Sequence, residues 1–145
     1  FRRGRKLVLG GIEIPHPKGL IGHSDADVLL HALINALLGA MGESDIGTHF
    51  PDSDSRYKGI SSTKLLGKIL LMMRRRGFTL VNADVTVIAQ EPKLAPYYSA
   101  IKKNVANQLK AAEKQINIKS TTTERLGWIG KGAGMAATAV ILLRR

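Results

Sequence analysis

The chain has 145 residues, 44% of them hydrophobic and 23% charged, which suits one folded domain with its own core and argues against intrinsic disorder. The absence of cysteine excludes disulfides and thiolate metal sites, and no apolar run reaches the roughly 20 residues of a membrane span. The formal charge of +11 invites a nucleic-acid-binding interpretation, but the basic residues are dispersed and the aromatic residues few, so a small polyanionic substrate fits better.

The first part of the chain predicts a hairpin followed by a long helix. Two short apolar segments, 6–9 and 12–15, flank a pair of glycines and predict two strands joined by a turn. Ser24 or Asp25 can cap a helix whose apolar residues recur at helical spacing over 28–40. A loop rich in Asp, Ser, Gly and Pro follows this helix.

Periodicity in the rest of the chain predicts helices alternating with strands. The apolar spacing marks five further elements, namely helices over 61–77 and 97–113 and strands over 78–90, 116–122 and 134–144. This order predicts an α+β sandwich in which one mixed β-sheet carries helices on one face. No repeat or linker interrupts it, so we expect one domain over residues 1–145.

The densest cluster of titratable side chains lies where the first helix begins. His23, Asp25, Asp27 and His31 fall within nine residues, and the last two share one helix face. Such a cluster can bind a metal or an anion. On spacing alone, a capping aspartate and a half-buried histidine are the favoured explanation, because one histidine does not make a zinc site.

Three later segments carry polar groups that suit a phosphorylated nucleotide. Residues 45–54 could form a mobile lid or a solvated turn. The segment 89–93 leaves a strand, so its free backbone groups could recognise a base edge or simply lead into the next helix. Residues 119–124 offer four consecutive hydroxyls for phosphate oxygens, although a β-branched run also suits a plain strand. Glu124 adds a hard oxygen ligand of the kind Mg²⁺ prefers.

Taken together, these segments resemble one family. The resemblance is carried, in order, by HSDADVLLHALINALLGAMGESDIGTHFPDSD, NADVTVIAQEPKLAP and NIKSTTTERLGWIGKGAG. They are similar to the 2-C-methyl-D-erythritol 2,4-cyclodiphosphate synthases of the non-mevalonate isoprenoid pathway. The resemblance covers essentially the whole chain and implies a homotrimer with active sites between neighbouring subunits. It also implies the cytoplasm of a bacterium or, less favoured, a plastid-type organelle.

The reaction that this resemblance implies is an intramolecular phosphoryl transfer by a phosphorus–oxygen lyase. The 2-phosphate of 4-diphosphocytidyl-2-C-methyl-D-erythritol 2-phosphate attacks the β-phosphorus, CMP leaves, and a cyclic diphosphate closes. Two anionic groups must meet, so the site needs cations and rigid positioning. The implied cofactors are Zn²⁺ or another divalent transition metal, and Mg²⁺ or Mn²⁺. No nucleic acid or membrane partner is expected. The alternatives are a basic RNA-binding domain and an inactive trimer that still binds cytidine nucleotides.

Site residues follow from the positions that match the family's motifs. The resemblance implies that His31 binds zinc and that Glu124 binds magnesium or manganese. It gives catalytic roles to His23, which donates to a phosphate, and to Thr122, which lies beside the diphosphate. The implied substrate-binding residues are His23, Ser24, Asp45, Ile46, Gly47, Phe50, Pro51, Asp52, Ser53, Asp54, Ala89, Gln90, Glu91, Pro92, Lys93, Leu94, Ala95, Thr121, Thr122, Thr123, Glu124, Trp128 and Lys131.

Three positions depart from the family pattern. Asn35 stands where an aspartate is usual, and Ala133 lacks an acidic group that is often found there. Lys131 replaces a planar guanidinium with a point charge, which weakens a bidentate grip on phosphate. The family's other two zinc ligands form an Asp-x-His motif that would precede Phe1, so the N-terminal strand with this motif is expected to be missing from residues 1–145.

Overall fold

In the computed structural model, which describes residues 1–145, short hairpin strands precede longer helix–strand units. The elements in chain order are β1 Arg2–Arg3, β2 Leu7–Leu9, β3 Ile12–Ile14, β4 Lys18–Gly19, α1 Val28–Ala40, α2 Ile46–His49, α3 Ser62–Arg75, β5 Thr79–Ile88, α4 Tyr98–Leu109, β6 Ile116–Thr121, α5 Gly127–Gly130 and β7 Ala136–Arg144. Short 3₁₀ turns occupy 55–57, 95–97 and 113–115. The predicted mixture of helices and strands is confirmed. None of these helices has the length and apolarity that a bilayer span requires.

The strands form three sheets, so the prediction of one mixed sheet is wrong. The central sheet has the order β6-β5-β7, with β5 parallel to β6 and antiparallel to β7. β1 pairs with β4, and β2 pairs with β3 in a separate hairpin. The hairpin turn is anchored to helices instead: Gly10 O accepts a hydrogen bond from Asn104 Nδ2 of α4 at 2.7 Å. Contacts between elements far apart in sequence therefore decide where the short strands lie.

The start of α1 also differs from the prediction. Asp27 is the N-cap, because its Oδ1 accepts the hydrogen bond of Leu30 N at 3.0 Å. The predicted caps have other partners. Ser24 lies before the helix, while Asp25 accepts hydrogen bonds from Ser62 N at 3.0 Å and Ser62 Oγ at 2.5 Å. Asp25 thus ties the entry of α1 to the entry of α3.

The end of α4 and the exposure of one residue in β5 both have backbone causes. α4 ends at Leu109, before its predicted end, because Lys110 adopts a φ of +52°, which a continuing helix does not allow. Val81 of β5 is 37% exposed. A register irregularity between Leu80 and Asn82 turns it outwards.

The core lies between the central sheet and helices α1, α3 and α4. Its 28 buried residues form one connected cluster that also includes the hairpin residues of β2 and β3. The opposite side of the sheet is only partly covered. On β7, Val140 is 71% exposed and Leu142 56% exposed, and Trp128 of α5 is 59% exposed. Val140 and Leu142 are two residues apart on one strand, so they share one exposed apolar face of β7.

Candidate active site

A cavity of about 250 Å³ lies between the start of α1, helix α2 and the loop that follows it. It is lined by His23, Ser24, His31, Ile46, Gly47, Phe50, Asp52, Tyr57, Ile60 and Leu65. The structure therefore brings together two segments that the sequence singled out separately, the histidine-rich helix start and the proposed lid.

His31 presents its ring to this cavity from the first turn of α1. Its Nε2 lies 3.1 Å from Ser24 Oγ, which also accepts a hydrogen bond from Ala26 N at 3.2 Å. Burial lowers the pKa of His31 below its ordinary value of 6.5, and the nearby carboxylates of Asp25 and Asp52 oppose this effect. The imidazole is therefore neutral at pH 7, the form that coordinates metals.

His23 and Asp52 face each other across the cavity. His23 Nδ1 and Asp52 Oδ1 are 3.7 Å apart. Asp52 is highly exposed and His23 only partly so. The pair therefore links the helix start to the following loop, with the imidazole towards the cavity interior and the carboxylate towards solvent.

Helix α2 is held by hydrogen bonds at its first turn. Asp45 Oδ1 accepts a hydrogen bond from Thr48 N at 2.8 Å, and this bonding lowers the pKa of Asp45 below its usual range. Asn35 Oδ1 accepts a hydrogen bond from Ile46 N at 2.9 Å. The amide of Asn35 thus satisfies a helix N–H as the aspartate usual at this position could. Ile46 and Gly47 line the cavity and Asp45 does not.

Aromatic packing shapes the loop that covers the cavity. The rings of Phe50 and Tyr57 are 5.3 Å apart in an edge-to-face arrangement. Lys68 Nζ lies 4.9 Å from the centre of the Tyr57 ring and 5.8 Å from that of Phe50. These contacts hold two apolar walls of the cavity in place.

The rest of the predicted lid lies outside the cavity lining. Pro51 and Ser53 are exposed. Asp54 binds Arg56 Nε through both carboxylate oxygens, at 3.0 and 2.9 Å, and these bonds lower the pKa of Asp54. In this conformation Asp54 therefore pairs with its own loop.

A second group of predicted residues lies at the carboxyl ends of β5 and β6. Because these strands are parallel, the segments that follow them emerge side by side, and Ala89 N donates to Thr121 O at 3.0 Å. Gln90 Oε1 accepts a hydrogen bond from Arg125 N at 3.1 Å. Glu91 Oε1 lies 3.7 Å from Lys18 Nζ of β4. The predicted base-binding and phosphate-binding segments are thus in direct contact.

The turn after β6 concentrates polar groups around one carboxylate. Thr122 Oγ1 donates to Glu124 Oε1 at 2.9 Å and accepts from Glu124 N at 3.2 Å. Thr123 Oγ1 donates to Leu126 O at 2.7 Å. Glu124 and Arg125 have φ values of +50° and +65°, a strained backbone region for residues with side chains. Such strain is typical of functional sites.

The remaining predicted residues divide by exposure. Ala89 and Leu94 belong to the buried core, so only their backbone groups could reach a nucleotide. Lys93 and Lys131 are exposed. Trp128 packs beside Gly134, where an added Cβ would lie 3.1 Å from the indole ring. Because they are exposed, Lys93 and Lys131 are available to an anionic ligand.

The two groups of residues remain separate in one chain. None of the residues 89–95 or 121–131 lines the cavity at the start of α1. A substrate that contacts both groups of residues must therefore extend from the cavity to residues of the segments 89–95 and 121–131.

The donor atoms available for a metal are individually suitable. His31 offers a neutral ring at the cavity, and Glu124 offers an exposed carboxylate on the turn. No three His, Asp or Glu side chains of residues 1–145 gather closely enough to form a complete ligand set. Within this chain, each of the two residues could therefore supply a single ligand to a divalent ion.

Three cavity residues were missed by the sequence analysis. Tyr57, Ile60 and Leu65 line the cavity, and the periodicity of α3 indicated only a core role for Leu65. An aromatic residue within a polar loop was the available signal for Tyr57. Ile60 gave no signal, because a single apolar residue before a helix is common.

The fold is of the α+β class, with two imidazoles at a cavity and, apart from it, hydroxyl and ammonium groups near the carboxyl ends of β5 and β6. The YgbB family model matches residues 1–144. A relative from Geobacillus thermodenitrificans, 2-C-methyl-D-erythritol 2,4-cyclodiphosphate synthase, is 54% identical over 145 residues, which are 100% of this chain and 91% of the relative. The chain belongs to the YgbB family.

Solved structures agree with this assignment. The bifunctional IspDF from Campylobacter jejuni superposes with a TM-score of 0.93 at 44% identity, over 97% of this chain and 38% of that longer one. A 2C-methyl-D-erythritol-2,4-cyclodiphosphate synthase described as a bound form with CDP gives a TM-score of 0.90 at 35% identity, over 99% of this chain and 93% of that one. The predicted resemblance is confirmed.

Proposed function

We propose that this chain converts 4-diphosphocytidyl-2-C-methyl-D-erythritol 2-phosphate into 2-C-methyl-D-erythritol 2,4-cyclodiphosphate and CMP. In this step an oxygen of the 2-phosphate forms a bond to the β-phosphorus. The bond from the β-phosphorus to the bridging oxygen breaks, and CMP leaves with that oxygen. The enzyme class follows from relatives that carry this name at 54% identity over the full chain.

The observation that carries the proposal is the pairing of an imidazole-lined cavity with a hydroxyl-rich turn on one small chain. The cavity of about 250 Å³ suits a short polyol phosphate better than a whole nucleotide. The parallel strands β5 and β6 supply a separate platform for the nucleotide part. A substrate with a sugar-alcohol phosphate at one end and cytidine at the other needs both.

The cavity residues hold the methylerythritol part. Ile46 and Gly47 form one wall, and Asp45, ionised because its pKa is lowered, is placed on the same helix to accept hydroxyl donors. Ser24 and His23 contact the 2-phosphate, and His23 donates a hydrogen bond to a phosphate oxygen as charge develops there. The residues 50–54 close over the substrate and exclude water.

The turn after β6 and the loop after β5 hold the cytidine diphosphate part. Backbone groups of residues 89–95 recognise the base, in keeping with the structure of a relative described as bound to CDP. The Thr122 hydroxyl donates a hydrogen bond to the diphosphate and gives up its hydrogen bond to Glu124. Lys93 and Lys131 screen the phosphates as point charges.

Divalent ions complete the site. The family is consistent with the use of divalent metals, and we assign one zinc ligand to His31 and one magnesium or manganese ligand to Glu124. When bound, these ions neutralise the phosphate oxygens that must approach each other. The neutral imidazole of His31 and the exposed carboxylate of Glu124 are the observations that support the assignment.

We further propose that the site is completed between copies in a homotrimer. The cavity and the nucleotide platform lie apart in one chain, and Val140 and Leu142 expose an apolar face of β7. Contact between copies would cover that surface. It would also bring one chain's cavity towards a neighbour's nucleotide platform. Light scattering of the purified protein tests the trimer directly.

Activity is tested by CMP release from the substrate with Zn²⁺ and Mg²⁺ present. The wild-type protein is expected to turn over. His31→Ala should lose at least about 100-fold in kcat together with bound zinc. Lys103→Ala, an exposed position on α4, is the matched control and should retain activity. Absence of CMP release from the wild type with both metals would refute the proposal.

A role in binding nucleic acid or other large polyanions is not favoured. Relatives over the whole chain are named as cyclodiphosphate synthases. Several of the cations are already paired with carboxylates, including Lys6 with Glu13 and Lys119 with Asp84.

A further inference from the structure

The segments after β5 and β6 are joined by one side-chain hydrogen bond. Gln90 Oε1 accepts from Arg125 N at 3.1 Å, across 35 residues of sequence. Gln90 belongs to the loop proposed to hold the base, and Arg125 to the turn that presents Glu124. The side chain of Gln90 is therefore already engaged, and it points at the turn.

The turn needs such support because its backbone is strained. Glu124 and Arg125 are consecutive non-glycine residues with φ values of +50° and +65°, a conformation that persists only when surrounding contacts hold it. Thr122 supplies contacts from within the turn.

Two contacts come from outside the turn. One is the Gln90 bond. The other is the close packing of α5, where a Cβ on Gly130 would lie 2.2 Å from the carbonyl carbon of Arg125. Of these two, Gln90 alone belongs to the loop proposed to bind the base. A shift of that loop must therefore move or break the support of the turn.

We infer that Gln90 is a positioning residue that couples occupation of the cytidine loop to the orientation of Glu124. Because Gln90 already holds Arg125 N, a base that fixes the loop also fixes the turn that carries the Glu124 carboxylate. The inference rests on the proposed function, because it takes the loop and turn as parts of one nucleotide site.

The coupling is measured with CDP and Mn²⁺, which bind without turnover. Calorimetry gives the CDP dissociation constant of the full chain with and without Mn²⁺, and the ratio of the two values is the coupling factor. By linkage, the same factor must appear in Mn²⁺ affinity measured by electron paramagnetic resonance with and without CDP. A residue that merely maintains the fold would change affinities without changing this ratio.

Three variants separate the possibilities. Gln90→Met keeps the shape and removes the acceptor, so the coupling factor should fall about tenfold, while CDP affinity without metal stays within about threefold. Gln90→Glu keeps an acceptor and should retain the wild-type factor. Asn107→Met, an amide-to-thioether change on exposed α4, is the control. If Gln90→Met does not fold, Gln90→Ala replaces it.

The inference fails if Gln90→Met keeps the wild-type coupling factor, or if it weakens CDP equally with and without Mn²⁺. It also fails if Gln90→Glu behaves like Gln90→Met, or if the wild type shows no coupling. These outcomes are independent of turnover. Absence of CMP release from the wild type would defeat the proposed function and leave the coupling measurable, whereas lost coupling with intact CMP release defeats only the role of Gln90.

Discussion

Replacing Asp27 by asparagine should change how the stability of the protein depends on pH. The Asp27 side chain is fully buried. Its Oδ1 accepts from Leu30 N and Gly10 N, both at 3.0 Å, and its Oδ2 accepts from Gly11 N at 2.7 Å. One carboxyl group therefore joins α1 to the β2–β3 hairpin. Burial raises its pKa from an ordinary 3.8 to about 6, although the three N–H groups act in the opposite direction.

The sign and size follow from linkage. A pKa that is higher in the folded state means that the folded protein binds the proton more tightly, so the contribution is present below pH 3.8 and lost as the pH rises through about 6. About two pH units separate the two values, and each corresponds to about 1.4 kcal/mol. Between pH 4 and pH 7 the wild type should therefore lose about 2–3 kcal/mol relative to Asp27→Asn, which does not titrate.

Equilibrium urea unfolding of both proteins at pH 4, 5, 6 and 7, at one protein concentration, gives the difference in unfolding free energy at each pH. All other titrating groups are shared, so they cancel in this difference. The advantage of the wild type over Asp27→Asn should be greatest at pH 4 and should shrink towards pH 7. A difference that stays constant within about 0.5 kcal/mol, or that grows with pH, would show that burial does not dominate at Asp27.

Three further changes test the fold and the site. Leu37→Ala removes a fully buried side chain of α1 and should cost about 3 kcal/mol in urea unfolding; a cost below about 1 kcal/mol would mean that the core collapses around the gap. Ser61→Ala removes the cap of α3, whose Oγ accepts Thr63 N at 3.3 Å, and should cost about 1 kcal/mol, with an unchanged melting temperature counting against this role. Gly130→Ala places a Cβ 2.2 Å from a backbone atom of Arg125 and should cost about 2 kcal/mol and weaken CDP binding in calorimetry; normal CDP affinity would contradict a fixed turn.

Local signals made parts of the fold predictable. Ser61 and Gly77 bracket α3 as predicted, because the capping serine and the terminal glycine act within a few residues of themselves. The hairpin of β2 and β3 was equally accessible from its two glycines. The division into three sheets was not, since it depends on Asn104 of α4 holding Gly10 across 94 residues.

The site was predictable to a similar extent. The motifs drew attention to segments that the structure places close together, and Ser24 and His31 line one cavity. Individual side-chain directions were not accessible. Asp54 turns to Arg56, and Gln90 binds the turn after β6. These choices depend on which partner lies closest once the backbone is folded, which no short sequence window contains.

The parallel pairing of β5 and β6 places the two ends of the central sheet under different constraints. At the carboxyl ends, the loops carry the residues that we propose to bind the nucleotide, so their lengths are constrained. At the opposite end, the connection from α4 to β6 passes through the turn around Lys110 and only has to link the helix to the strand. Insertions or affinity tags introduced there should therefore be accommodated without loss of ligand recognition, which makes this turn a practical attachment point for labels or for immobilisation on a surface.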